Sequence, residues 1–130
     1  MTATTPIPLL SEIGQIAIRA TDLPRAVAFY RDVLGLTFLF EASPGLAFFK
    51  CGSVQLMLSG AEVPEFDHAA SVLYFNVADI DAAFHALQGR GVAFRDQPHQ
   101  IYQTGGKALW MTFFNDSEKN VFALMSWKPV

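Results

Sequence analysis

Gln15-Ile-Ala-Ile-Arg-Ala-Thr-Asp22-Leu and Val72-Leu-Tyr-Phe-Asn-Val-Ala-Asp79-Ile are two copies of one pattern, set 57 residues apart. In each, an extended apolar stretch runs up to an Asp and an amphipathic run follows, Pro24 to Leu34 in the first copy and Asp81 to Gly89 in the second. Repetition at a fixed offset points to a fold built from repeated units. The Asp stands where a helix N-cap belongs, because a carboxylate there accepts the unpaired N–H groups of the first turn and suits the positive end of the helix dipole. Asp22 and Asp79 are therefore read as structural rather than catalytic. Pro24 fits the same first turn, where its missing N–H costs little. Leu23, Val27, Tyr30 and Leu34 recur at helical spacing, and Ile80, Phe84 and Leu87 repeat it. Each helix thus has one face to bury against a sheet.

Gly35 ends the first helix, and Gly89 and Gly91 end the second, as expected where the chain turns through a left-handed conformation. Three extended segments follow each helix: Leu36 to Glu41, Leu46 to Lys50 and Val54 to Leu58, then Val92 to Arg95, Ala108 to Phe114 and Asn120 to Ser126. Cys51-Gly52-Ser53 and Asn115 to Lys119 read as hairpin connections. The pattern is strand, helix and three strands, twice over. Ser59 to Ala70 reads as the linker. Asp96 to Lys107 reads as a long irregular loop absent from the first half, and loops of that length commonly form lids or binding loops.

At 130 residues the chain is one domain on the length prior. Module one covers about 12–58, the linker 59–70 and module two about 71–127. The composition is 52% hydrophobic and 16% charged, against roughly 45–50% and 25% for ordinary domains. A dimer interface or an apolar ligand cavity would absorb the surplus. Nine Lys and Arg against twelve Asp and Glu give a net charge of −3, with the basic residues scattered. Without a basic stripe, nucleic acid is not an expected partner. Cys51 stands alone, so no disulfide framework is expected, and the residue reads as a small buried hydrophobe in a reducing compartment. Met1 to Ser11 has no signal-peptide character, and no window approaches a membrane span. A cytoplasmic protein with no membrane partner is the expectation.

The sequence resembles the vicinal oxygen chelate superfamily, which includes glyoxalase I, extradiol dioxygenases, methylmalonyl-CoA epimerase and the fosfomycin and bleomycin resistance proteins. The resemblance runs from about Ile13 to Trp127. It rests on Asp22-Leu23 with Phe29-Tyr30 and Leu34-Gly35-Leu36, on Phe75 to Asp81, on Leu87 to Val92, and on Phe113-Phe114-Asn-Asp116 with Asn120. It implies an α+β fold of two βαβββ modules forming a cupped mixed sheet around a ligand, with a divalent metal held by one side chain from each of four strands. Those four positions fall here on Gln15, Met57, Val72 and Ala123. Three of them lack a hard donor, and the thioether of Met57 suits soft Cu(I) better than Zn, Mg, Mn or Fe. No metal and no cofactor are therefore expected.

Strand alternation places Gln15, Ala17 and Arg19 on one face, with Gln55 and Met57, with Val72, Tyr74 and Asn76, and with Val121, Ala123 and Met125. A floor of this kind, mostly apolar with few polar groups, is the usual make-up of a small-molecule pocket. Tyr102 and Trp110, beside the long loop, are candidates to stack on a flat ligand. His99, with Asp96 and Tyr102 near it in sequence, is the candidate catalytic acid or base; His68 and His85 are weaker candidates. Two functions follow. One is a metal-independent homodimeric protein holding a small apolar or aromatic molecule for sequestration, resistance or sensing. The alternative is a lyase, isomerase or dioxygenase type of enzyme, using either metal-free acid/base catalysis by His99 or a divergent metal site.

Overall fold

The computed structural model describes residues 9–42, 45–60, 65 and 67–130. The readings of the N-terminus at 1–8 and of the linker at 61–64 and 66 lie outside the described residues. The chain forms β1 (Gln15–Arg19), α1 (Leu23–Ala28) with a π-helical turn (Phe29–Val33), β2 (Thr37–Ala42), β3 (Leu46–Cys51) and β4 (Val54–Ser59). The second half repeats the order with one strand more: β5 (Leu73–Asn76), α2 (Ile80–Gly89), β6 (Ala93–Phe94), β7 (His99–Thr104), β8 (Lys107–Asn115) and β9 (Val121–Pro129).

The fold is α+β. Instead of one continuous sheet, each half makes its own, in the orders β1-β4-β3-β2 and β5-β9-β8-β6, with β7 also on β8. Both are mixed: β1 runs parallel to β4 and β5 parallel to β9, while the remaining pairs are antiparallel. The registers match across the repeat, since Ala17 faces Met57 and Tyr74, at the same place in the second copy, faces Ala123.

Both helices start as their sequences predict. Asp22 and Asp79 have extended backbones, and their carboxylates each accept an N–H three residues on, from Arg25 and Ala82, at 3.1 Å. The first helix is less regular than its periodicity predicts. After six α-helical residues it widens into the π turn, closed by the Leu34 N–H donating to the Phe29 carbonyl at 2.9 Å. Tyr30 stays fully buried within that turn.

The stretch 96–107 is not the irregular loop expected. Residues 99–104 form β7, which continues the edge begun by β6 along β8 and returns through Gly105 and Gly106, both at positive φ. Asp96 makes the break between β6 and β7: its carboxylate accepts from the Thr112 hydroxyl at 2.7 Å and the Phe113 N–H at 2.9 Å. The strand escapes sequence reading because both of its faces are exposed, so it carries no apolar alternation.

One core joins the halves. Ile18, Leu56, Leu58, Ala47 and Phe49 from the first sheet pack with Phe114, Phe122 and Leu124 from the second, and with Ala26, Val27, Tyr30 and Ile80 from the helices. At one end the β8–β9 turn is pinned to the first half by a buried polar cluster. Tyr30 donates to Asp116 at 2.6 Å, and Asn120 Nδ2 donates both to Asp116 at 2.8 Å and to the Arg19 carbonyl at 2.9 Å. Glu118, its side chain fully buried, accepts from the Thr21 hydroxyl, the Asp22 N–H, the Ser117 hydroxyl and Arg25. Burial works against the Glu118 charge, but these bonds outweigh it and hold the pKa down at about 2. Burial, reinforced by the Asp116 carboxylate, pushes the Tyr30 phenol far above its ordinary range. No described helix is long and apolar enough to cross a membrane.

Candidate functional site

Cross-strand partners share a face, so the registers sort every strand residue into a core side and an outer side. On sheet one the core side carries Ile18, Leu56, Leu58, Ala47 and Phe49. The outer side, which is the face expected to line the cup, carries Gln15, Ala17 and Arg19 from β1, Gln55 and Met57 from β4, Phe48 and Lys50 from β3, and Phe40 from β2. Gln15 Oε1 accepts from Gln55 Nε2 at 2.8 Å, and Gln15 Nε2 reaches Met57 Sδ at 3.6 Å. Phe40 stacks on Phe48 with centroids 4.5 Å apart. Arg19 Nε lies 3.2 Å from the Asp67 carboxylate without an aligned hydrogen bond.

On sheet two the outer side carries Tyr74 and Asn76 from β5, Ala123, Met125 and Trp127 from β9, and Leu109, Met111 and Phe113 from β8. Tyr102 and His99 join them from β7, opposite Leu109 and Met111. The rings cover this face in pairs: Tyr74 meets Phe113 edge-on at 5.9 Å, and Tyr102 meets Trp127 at 5.6 Å with Lys107 Nζ 4.8 Å above the indole. Ala123 is wholly covered. Phe40, Tyr74 and Tyr102 nevertheless remain 49%, 48% and 49% exposed. Val72 lies just before β5, and it is exposed as well.

Trp110 is not brought to this face. It pairs with Ser126 on the core side, packs against the core and lies beneath Lys128 Nζ at 4.1 Å. Nor does Asp96 pair with His99, since its carboxylate is occupied by Thr112 and Phe113. His99 Nδ1 is 2.8 Å from the Gln97 carbonyl. A carbonyl only accepts, so Nδ1 carries the proton in that contact and Nε2 is left as the basic nitrogen. His68 and His85 are exposed on the linker and on α2.

The four positions implied for a divalent metal do not fit one. Gln15 and Met57 do meet, but they bring one amide and one thioether, while Val72 and Ala123 carry no donor atom. Among the described residues no three His, Cys, Asp or Glu side chains converge elsewhere. The outer-face residues that sequence reading missed include Phe40, Phe48, Lys50, Leu109, Met111, Phe113 and Trp127. The signal for them was the hairpin register: once Met57 is placed, its antiparallel partners across the short turn fix Phe48 and Lys50 on the same face.

Among the described residues, the hydrogen bonds and ring contacts on either outer face stay within its own sheet. A groove of about 350 Å³ does open between the halves, but on the core side, lined by Leu34, Leu36, Cys51, Phe75 and Leu87 among others. Cys51 is half-buried there, and burial pushes its thiol pKa up.

A glyoxylase-like domain-containing protein of Didymella fabae is 29% identical over 129 residues, spanning 89% of this chain and 94% of that protein. Lactoylglutathione lyase of Agrobacterium tumefaciens superposes with a TM-score of 0.70 at 26% identity, over 92% of this chain and 96% of that one. TnmS3, an antibiotic binding protein from Streptomyces sp. CB03234, superposes with a TM-score of 0.72 at 22% identity, over 95% and 100% of the two chains. The family model of the Glyoxalase/Bleomycin resistance protein/Dioxygenase superfamily matches residues 12–124. With the repeat, the paired sheets and that match in agreement, the chain belongs to this superfamily.

Proposed function

We propose that this protein binds a small apolar or aromatic molecule against its outer faces, without a divalent metal, for sequestration, resistance or sensing. The observation that carries the reading is the state of those faces: Phe40, Tyr74 and Tyr102 stay half exposed while the opposite side of both sheets is buried in a shared core. Open aromatic surface with a few polar groups is what a ligand wall needs. Each face is half of a cup, so the reading includes a homodimer in which a second copy supplies the other half. The cytoplasm, where a lone thiol stays reduced, is the compartment that fits. The likeness of TnmS3, described as an antibiotic binding protein, supports binding through shared architecture alone.

The test is thermal melting of protein purified without added metal. Titration with Zn, Mn, Fe, Ni or Mg is expected to leave the melting temperature unchanged, while an apolar aromatic such as N-phenyl-1-naphthylamine raises it, since only what binds the folded state stabilises it. A stoichiometric divalent ion that raises the melting temperature contradicts the reading. Metal-free acid/base catalysis keeps one observation in its favour: His99 Nε2 is unencumbered on the outer face, opposite Met111. His99→Ala abolishing a turnover would establish it.

A further inference from the structure

We propose that the outer face of sheet one selects an anionic group, so that the ligand is an apolar or aromatic body bearing an oxyanion, received where Gln15, Gln55 and Lys50 line up across the strands. This rests on the reading of the faces as ligand walls. The first support is charge segregation. The chain has more acids than bases, twelve to nine. Yet the described strands carry Arg19, Lys50 and Lys107 on their outer faces and no carboxylate of their own; Asp67 of the linker meets Arg19, so the segregated positive charge rests on Lys50 and Lys107. The one acidic residue within a strand, Glu41, pairs with Ala47 and so belongs to the core side at the sheet edge. The other acids are largely committed elsewhere: Asp22 and Asp79 cap helices, Asp32 pairs with Arg31, Asp81 with Lys128, and Asp96, Asp116 and Glu118 are bonded inside the fold.

The second support is hydrogen-bond polarity. Gln15 Oε1 is already accepting from Gln55, so Gln15 presents its amide N–H groups, whose described contact is the weakly accepting Met57 sulfur at 3.6 Å. Lys50 stands directly opposite Gln55 and has no carboxylate partner among the described residues. Amide donors beside an ammonium repel a cation and suit an oxyanion through charge-assisted bonds. The same row thus fails as a metal site and succeeds as an anion site. Met57 and the Phe48–Phe40 stack, next along the sheet, supply the apolar surface for the rest of the molecule.

The experiment titrates the full chain with two fluorescent probes that share one body, 8-anilinonaphthalene-1-sulfonate and the uncharged N-phenyl-1-naphthylamine, and reads the ratio of their affinities. The sulfonate is expected to bind about tenfold more tightly, the size of one charged hydrogen bond. Lys50→Met should bring the ratio to about one, Lys50→Arg should keep it, and added salt should shrink it. Equal affinities in the wild type, or a ratio that survives Lys50→Met, overturn the anion selection and leave the apolar binding faces standing. Failure of both probes to bind overturns the two together.

Discussion

The two halves share what makes a βαβββ unit fold and differ where the unit meets something outside itself. Caps, parallel register and core-side residues correspond position by position, down to the equivalent contacts made by Asp22 and Asp79. The hairpin turns do not correspond. Gly52 and Ser53 suffice between β3 and β4, while residues 116–120 between β8 and β9 bury Asp116, Glu118 and Asn120 against the first half. The outer faces differ as well: sheet one sets the bonded Gln15–Gln55 amides beside Lys50 and one aromatic stack, while two edge-on aromatic pairs dominate sheet two. The shared parts specify the unit, the elaborated turn holds two units together, and the diverged faces are where the proposed ligand would be met.

The largest effect should come from breaking the turn. Asp116→Ala removes the acceptor for Tyr30, for the Asn120 side chain and for two backbone N–H groups, leaving buried donors unpaired. A loss of about 3–5 kcal/mol by urea denaturation is expected. Ser53→Ala, in the corresponding turn, should stay within about 0.5 kcal/mol. Equal losses would break the contrast between the halves.

Acid should act on the same turn. The Glu118 pKa is held at about 2, below its ordinary value of 4.5. Its contribution is therefore complete above about pH 4.5 and is lost as pH falls toward 2. Glu118→Gln should flatten the stability curve across that window, and an unchanged curve would remove Glu118 from the clamp. The smallest effects sharpen the comparison from the other side. Asp22→Ala and Asp79→Ala should each cost about 1 kcal/mol, and nearly the same amount, because the two caps are alike in geometry.

What was legible in the sequence follows the same division. Caps, helix faces and the main strands were readable because local rules fix them, and so was the pairing of Gln15 with Gln55 and Met57 on one face. β7 was not, since His99 to Thr104 has both faces exposed and only its pairing to β8 makes it a strand. The π turn at Phe29–Val33 has the same apolar spacing as an α-helix and leaves no mark in the sequence. Trp110 and Tyr102 looked alike beside the presumed loop, yet register sends one to the core side and the other outward. The Asp116, Glu118 and Asn120 cluster read as an ordinary polar turn, because its partners Tyr30, Arg25 and Arg19 lie more than 80 positions away.

The central claim is that each outer face is half of a binding cup completed by a second copy. Light scattering on the full chain eluting from a sizing column at micromolar concentration tests it directly. The account predicts a mass of twice the 14.3 kDa of one chain. A particle of 14.3 kDa, with both aromatic faces left open to water, would contradict it.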